Sequence, residues 1–400
     1  SALRTLRALR AEGGEAAAPL LLEVAQDGVE AAAAAARESD VAIVCVGNSP
    51  YINGKEEIDR PALSLPPRQE ELIRAVHDAN PNTVVVIVGS YPFALGEIAE
   101  LVPAIVYLAH GGQELGSAVA DILFGDAAPA GRLSLTWYRS EDDLADMLDY
   151  DIIKSGATYQ YFDGEPLYPF GHGLAYTGFR YGPLKLSGGS FGEEDTISVE
   201  LEIENTGGTD SDEVPQLYVR AGRSRVKRPL KQLKGFDRLH IPAGEIRTAA
   251  FELPVRELAF WDVTRDKFCV ETGAYTLLAG SSSGDIRAEA SIEIRGETVP
   301  PRDLYRETRA ENFDDYDNIL LDEGERRETS ARPADLTRAG ELIFRDVELT
   351  RGLAGWKLRL RNSGTAGRLE LRLGGDNDTL LGVHDIAGAA EGEWSTLQGA

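Results

Sequence analysis

Residues 41–66 read VAIVCVGNSPYINGKEEIDRPALSLP, and the change of character inside this stretch decides the fold class. Val41 to Val46 is a short, β-branched apolar run, the signature of a buried parallel strand. Polar residues follow from Asn48, with two adjacent carboxylates, Glu56 and Glu57, and then an Asp59-Arg60 pair. A helical pattern opens at Pro67, where a fixed φ suits the first helical position, and closes near Asn80-Pro81. Strand, acidic loop and helix in this order form one step of an α/β fold. In open α/β sheets, ligands sit outside the carboxyl ends of the strands. A solvated acidic loop is the plain reading of the same residues. Carboxylates placed for proton transfer are the functional reading.

Outward from that stretch the alternation continues. Apolar runs at 84–89 and 104–108 are again short and β-branched, and helical patterns cover Gly28 to Arg37 and Glu114 to Phe124, the latter stopping at Gly125. Residues 1–177 therefore read as α/β, a sheet covered by helices. From 183 to 298 helical periodicity vanishes. Alternating segments Thr196–Glu204, Glu213–Arg220, Arg247–Leu253 and Tyr275–Gly280 are separated by turn residues such as Pro242-Ala243-Gly244. This pattern predicts an immunoglobulin-like β-sandwich. Residues 299–340 are polar and charged, a linker running into a first strand. Residues 341–400 return to β alternation and read as a partial β-sandwich.

Formal net charge is −25 over 400 residues, a field that repels nucleic acid and anionic membranes and suits a neutral substrate. No run of 18 apolar residues is present, so no helical membrane span is expected. The two cysteines, Cys45 and Cys269, lie in different regions and are expected as buried thiols, with no metal-ligand spacing around them. The chain begins at Ser1 without a charged-then-apolar leader and reads as an excised fragment.

Three motifs in order resemble glycoside hydrolase family 3, the β-glucosidases, β-xylosidases and related exo-acting enzymes. They are GKEEIDR with LSLP at 54–66, GGQELGSAVADILFGDAAPAGRLSLTW at 111–137, and YQYFDGEPLYPFGHGLAYTGFRY at 159–181. The run from VPQLYV to ELAFWD resembles the fibronectin type III-like domain that follows the catalytic part in many such enzymes, with Phe268-Cys269-Val270 where that family more often has a Trp. The last region resembles a carbohydrate-binding module of family 6, incomplete at its end.

The resemblance implies a retaining glycosidase, which uses two carboxyl groups about 5 Å apart, a nucleophile and a general acid/base. It places the nucleophilic Asp in a barrel domain preceding this chain, and the acid/base in the 48–66 loop. Aligned on Asp59-Arg60, the acid/base falls on Glu56, with Glu57 as the alternative. Tyr51 and Asn53 are expected to line the leaving-group side. Asp59 and Arg60 contact substrate or orient the loop, or else anchor the following helix. Trp394 stacks on sugar or packs internally, whereas Trp356 is expected in a core. Glu311 resembles an early calcium ligand of the module family, but Arg309 replaces the first Glu of that pattern. No other metal and no organic cofactor is implied. The partners expected are a glycoside or oligosaccharide substrate and the barrel. Localisation is unknown from the residues, and the resemblance implies secretion or the periplasm. The competing reading is a non-catalytic, multi-domain carbohydrate-binding or scaffolding protein. GSSSG at 280–284 matches a nucleophile-elbow pattern but sits in an all-β segment, where a turn is expected.

Overall fold

The computed structural model describes residues 28–48, 59–323, 329–361, 366–374, 379–386 and 394–399. Two compact units emerge: one joins the α/β and first β-rich regions up to residue 298, without residues 261–267, and the other joins those residues to 299–400.

The α/β part carries a three-stranded parallel sheet in the order β1 (Ala42–Gly47), β2 (Thr83–Val88), β3 (Ala104–Leu108). Parallel neighbours need a crossover. Between β1 and β2 it contains helix α2 (Pro67–Ala79), and between β2 and β3 the single turn α3 (Ile98–Leu101). Helix α1 covers residues 28–37 and α4 spans Leu115–Phe124. Helix α2 starts at the expected proline and buries Ile73 and Val76, while α4 ends on Gly125, whose left-handed φ of 81° favours glycine. Val85 and Ile87 of β2 join Ala36 of α1, Ile73, Val76, Phe93 and Trp137 in one core.

One expectation fails at β1. Ala42, Val44 and Val46 are buried, but Ile43 and Cys45 are exposed, so among the described residues cover reaches one face of this strand only. Cys269 is buried as expected. A continuous apolar run cannot distinguish a strand covered on both faces from one covered on one, and this caused the miss at Cys45.

The next region is β-rich. A five-stranded sheet contains Gln232–Phe236, Gln216–Ala221, Gly273–Ser282, Asp285–Arg295 and Ser190–Gly192 in that spatial order, and a four-stranded sheet is built around Thr196–Asn205 and Ile246–Pro254. Alternate residues from both sheets meet in one core: Ile197, Val199, Leu201 and Ile203 from one, Leu217, Val219, Leu277 and Ile292 from the other. Tyr218 is fully buried, but Phe236 is 68% and Trp261 46% exposed, so a place in a strand did not bring these two aromatics into the core.

Residues 159–181 join the two parts. Tyr159 stacks on Phe170 with ring centroids 4.3 Å apart and meets Tyr218 edge-on at 6.0 Å. The Leu233 amide donates to the Tyr159 hydroxyl at 3.1 Å, and the Leu230 amide to the Gln160 carbonyl at 2.7 Å. Gln216 Nε2 donates to the Gly171 carbonyl at 3.1 Å. Gly171 has φ +83°, and a Cβ there would lie 2.1 Å from the Gln216 side chain, so only glycine fits. Arg132 Nη2 meets Glu213 Oε1 at 3.1 Å, with side chains only 8% and 2% exposed.

The second unit pairs Asp315–Asp317 with Glu341–Ile343, Ile319–Glu323 with Thr329–Pro333, Trp356–Arg361 with Trp394–Gly399, and Gly367–Leu373 with Thr379–Ile386, all antiparallel. Three of these strands fall inside 299–340, which the sequence presented as linker and first strand. Buried Arg302 organises this stretch. Its Nη2 donates to Asp314 at 2.8 Å and its Nη1 to the Asn312 carbonyl at 2.7 Å, with the guanidinium over Phe344.

Candidate functional site

The carboxyl ends of the three strands are held level by backbone hydrogen bonds. Asn48 N donates to Val88 O at 3.1 Å and Gly89 N to Leu108 O at 3.0 Å. Gly47 closes β1 with φ +141°, and a Cβ there would sit 1.8 Å from the Val88 carbonyl oxygen. The Gln69 side chain of α2 reads both backbone groups of Gly47, donating to its carbonyl and accepting from its amide, each at 2.9 Å. The end of β1, where the acidic loop departs, is thereby tied to the helix that follows the loop.

Tyr51, Asn53, Glu56 and Glu57 lie outside the described residues. Asp59 and Arg60 are within them, at the loop's downstream root. Asp59 is exposed and Arg60 half-buried. The Arg60 guanidinium lies over the Tyr91 ring at 4.6 Å and the Phe93 ring at 5.2 Å, and its Nη2 reaches the Pro92 carbonyl at 3.4 Å. Burial pushes the guanidinium below its ordinary value, offset in part by Tyr91 and the Glu141 carboxylate. Burial likewise raises the Tyr107 phenol, against the pull of Arg60. Three residues after Arg60, the Leu63 amide donates to Glu141 Oε1 at 2.5 Å, and its carbonyl accepts from Ala94 N at 3.1 Å. Arg60 and Leu63 thus fasten the root to the 91–94 loop at the end of β2, and Leu63 also fastens it to Glu141. Asp59 and Arg60 have no described contact with each other.

Under this root lies a buried aromatic cluster. Trp137 is 2% exposed, with Tyr107 edge-on at 4.8 Å and Phe93 and Tyr168 each at 5.9 Å. Truncation of a buried Trp costs about 3–5 kcal/mol. Trp137→Ala is expected to lower stability by about that amount, read from the urea midpoint of the chain; a loss below about 1 kcal/mol would contradict the packing described. Beside the root an open groove is lined by Ser64, Glu70, Arg74, Glu97, Arg139 and Glu141. Burial raises the Glu70 carboxyl there, with Arg74 opposing. Nothing in the sequence marked Glu141, 78 residues from its partner amide.

His110 is exposed just past the carboxyl end of β3. His172 stacks on Tyr168 at 5.0 Å, and burial, with Arg132 nearby, pushes its pKa down. Both observations fit a structural imidazole kept neutral. Ser281–Ser283 of the GSSSG turn are buried, and Ser281 Oγ donates to Asp285 at 2.7 Å, not to a histidine. Trp394 opens the strand 394–399 with its backbone opposite Arg361, and Trp356 packs its ring against Gly382 and Gly399. Glu311 lies 3.9 Å from Arg309. Among the described residues no group of three or more His, Cys, Asp or Glu is placed to hold a metal.

Comparison with known proteins adds identity to this geometry. Residues 2–176 match the Glycosyl hydrolase family 3 C-terminal domain, and residues 213–283 match the Fibronectin type III-like domain. A β-glucosidase of Rhizobium radiobacter is 38% identical over 282 residues, which is 67% of this chain and 34% of that protein. A β-xylosidase of Formosa agariphila is 38% identical over 263 residues, 64% of this chain and 36% of that protein. The crystal structure of the Kluyveromyces marxianus β-glucosidase in complex with glucose aligns with a TM-score of 0.61 at 32% identity, covering 68% of this chain and 34% of that one. The chain spans about a third of the length of these relatives.

Proposed function

We propose that this chain supplies one wall of the active site of a retaining, exo-acting β-glycosidase that removes terminal β-linked glucose or xylose. The match of residues 2–176 to the family 3 carboxyl-terminal domain, among relatives that are β-glucosidases and β-xylosidases, carries this reading. Glu56 is the general acid/base in it. Glu56 protonates the leaving oxygen as the glycosidic bond breaks, then takes a proton from the water that releases the sugar. The nucleophile comes from a barrel outside this chain. The anchored root at Arg60 and Leu63 supports the reading, because an acid/base loop must return to one position in each cycle. Arg60 acts here as a positioning residue.

Two measurements test the assignment. The whole protein should hydrolyse nitrophenyl β-glucoside or β-xyloside, with the β-anomer of the sugar appearing first by proton NMR; release of the α-anomer first would exclude retention. The 400-residue chain alone should give no turnover, since chemistry needs both carboxyls together. Turnover by the purified chain that disappears in a Glu56 variant would refute the division of labour.

Within this reading, 183–298 is an immunoglobulin-like sandwich that braces the α/β domain and does not bind sugar, and 341–400 is a partial carbohydrate-binding module. The Fn3-like brace rests on the contacts made by residues 159–181. Residues 183–298 expressed alone should show no retention in affinity electrophoresis on β-glucan or xylan. Clear retention would overturn the brace.

A further inference from the structure

Helix α2 starts without a side-chain cap. Its N-cap is Pro66, and Pro67 is the first helical residue. Gln69 stands at the third helical position, from which a glutamine ordinarily reaches back to the backbone N–H of the N-cap. Pro66 has no N–H to offer. The Gln69 side chain goes instead to the end of β1, 22 residues away in the chain, and meets both backbone groups of Gly47 at 2.9 Å.

This pairing has the form of one rung of a β-ladder, with a side chain in the place of a strand. Gly47 is also paired with Val88 of β2, so close that no Cβ would fit, and Asn48 N donates to Val88 O. Two elements, β2 and α2, therefore hold the last residue of β1. Gln69 is itself fixed. Its backbone amide donates to Pro66 O at 2.8 Å, and Ile73, one turn further along the same face of α2, is fully buried. Arg60 and Leu63 hold the other root of the 48–66 loop through separate partners.

We infer that Gln69 is a positioning residue for the acid/base: it sets where the 48–66 loop leaves β1, and through that the placing of the Glu56 carboxyl. The inference rests on the reading of Glu56 proposed above. A general acid must come within about 2.6–3.2 Å of the oxygen that it protonates. A displacement of about 1 Å, far from the chemistry, can cost on the order of 100-fold in rate.

The test uses the whole protein. Gln69→Met keeps the length of the side chain and removes its donor and its acceptor. In the folded variant kcat should fall about 10–100-fold on disaccharides and activated aryl glycosides alike, with KM nearly unchanged and no azide rescue, as the carboxyl is still present. The deciding readout is a cycle with Glu56→Ala. A residue that acts through Glu56 has little left to do once that carboxyl is gone, so Gln69→Met should change the azide-supported turnover of Glu56→Ala by less than about twofold. Should Gln69→Met fail to fold, Gln69→Glu enters the same cycle; it keeps the acceptor for the Gly47 amide and loses the donor to the Gly47 carbonyl. Loss by the same factor in both backgrounds, or an unchanged kcat beside an impaired Glu56→Ala, overturns the role of Gln69 and leaves the acid/base assignment standing. An unimpaired Glu56→Ala overturns that assignment, and the inference with it.

Discussion

The Glu56→Ala variant of the whole protein is expected to hydrolyse natural disaccharides about 10²–10⁴-fold more slowly, the usual worth of a positioned general acid or base. The loss should depend on the leaving group. A sugar alkoxide is a poor leaving group and needs its proton during bond cleavage; a dinitrophenolate does not. Activated aryl glycosides should therefore still form the glycosyl-enzyme quickly, and release of the sugar, which now lacks a base to activate water, becomes slow. A covalent intermediate then accumulates, so KM for these substrates should fall along with kcat. Azide needs no base, so it should restore turnover and yield the β-glycosyl azide. If Glu57→Ala shows this pattern and Glu56→Ala does not, the assignment moves by one residue. If neither does, the acid/base lies outside the loop. Arg60→Ala provides a contrast: a positioning residue should lower kcat on both substrate types to a similar degree and show no azide rescue.

Much of the α/β fold was legible because its signals are local. Pro67 opens α2 and Gly125 closes α4 for backbone reasons that operate at single residues. The β-branched runs mark β1 to β3 because parallel strands are apolar throughout. Burial of a face is not local. Cys45 is exposed because cover on β1 depends on what lies beyond the sheet, which the strand's own sequence does not encode. Phe236 and Trp261, which lie in strands yet are largely exposed, show the same limit. At the candidate site, the residues that anchor the loop root come from distant chain positions: Gln69 on α2, Tyr91 to Ala94 after β2, and Glu141. Asp59-Arg60 could be read as a pair with separate partners, but only the fold shows that Arg60 meets the Tyr91 and Phe93 rings and the Pro92 carbonyl.

Arg132→Ala should be the most destabilising single change at the junction of the two parts, costing about 3–5 kcal/mol, the usual effect of stripping one partner from a buried ion pair. In the native protein Arg132 is fixed twice. Its Nη1 donates to the carbonyls of Ala130 and Gly131, each at 3.1 Å, and its Nη2 meets Glu213 Oε1 at 3.1 Å. Tyr181 completes the arrangement, its hydroxyl donating to the same carboxylate oxygen at 3.0 Å. Burial, and then the Glu213 charge, push the Tyr181 phenol far above its ordinary value, so it remains a donor at every working pH. Removing Arg132 leaves the carboxylate with one neutral donor in a site that is 2% exposed. For a unit of this size the thermal midpoint should fall by roughly 10 °C. The cause can be separated from lost packing by a double-mutant cycle. Glu213→Gln in the Arg132→Ala background removes the stranded charge while keeping the shape, so it should recover a substantial part of the loss, whereas Glu213→Gln alone should destabilise. If the double variant is as unstable as the sum of the two single ones, the pair is not coupled. The fibronectin-like part would then be braced by Tyr159, Phe170 and Gln216 without this ion pair.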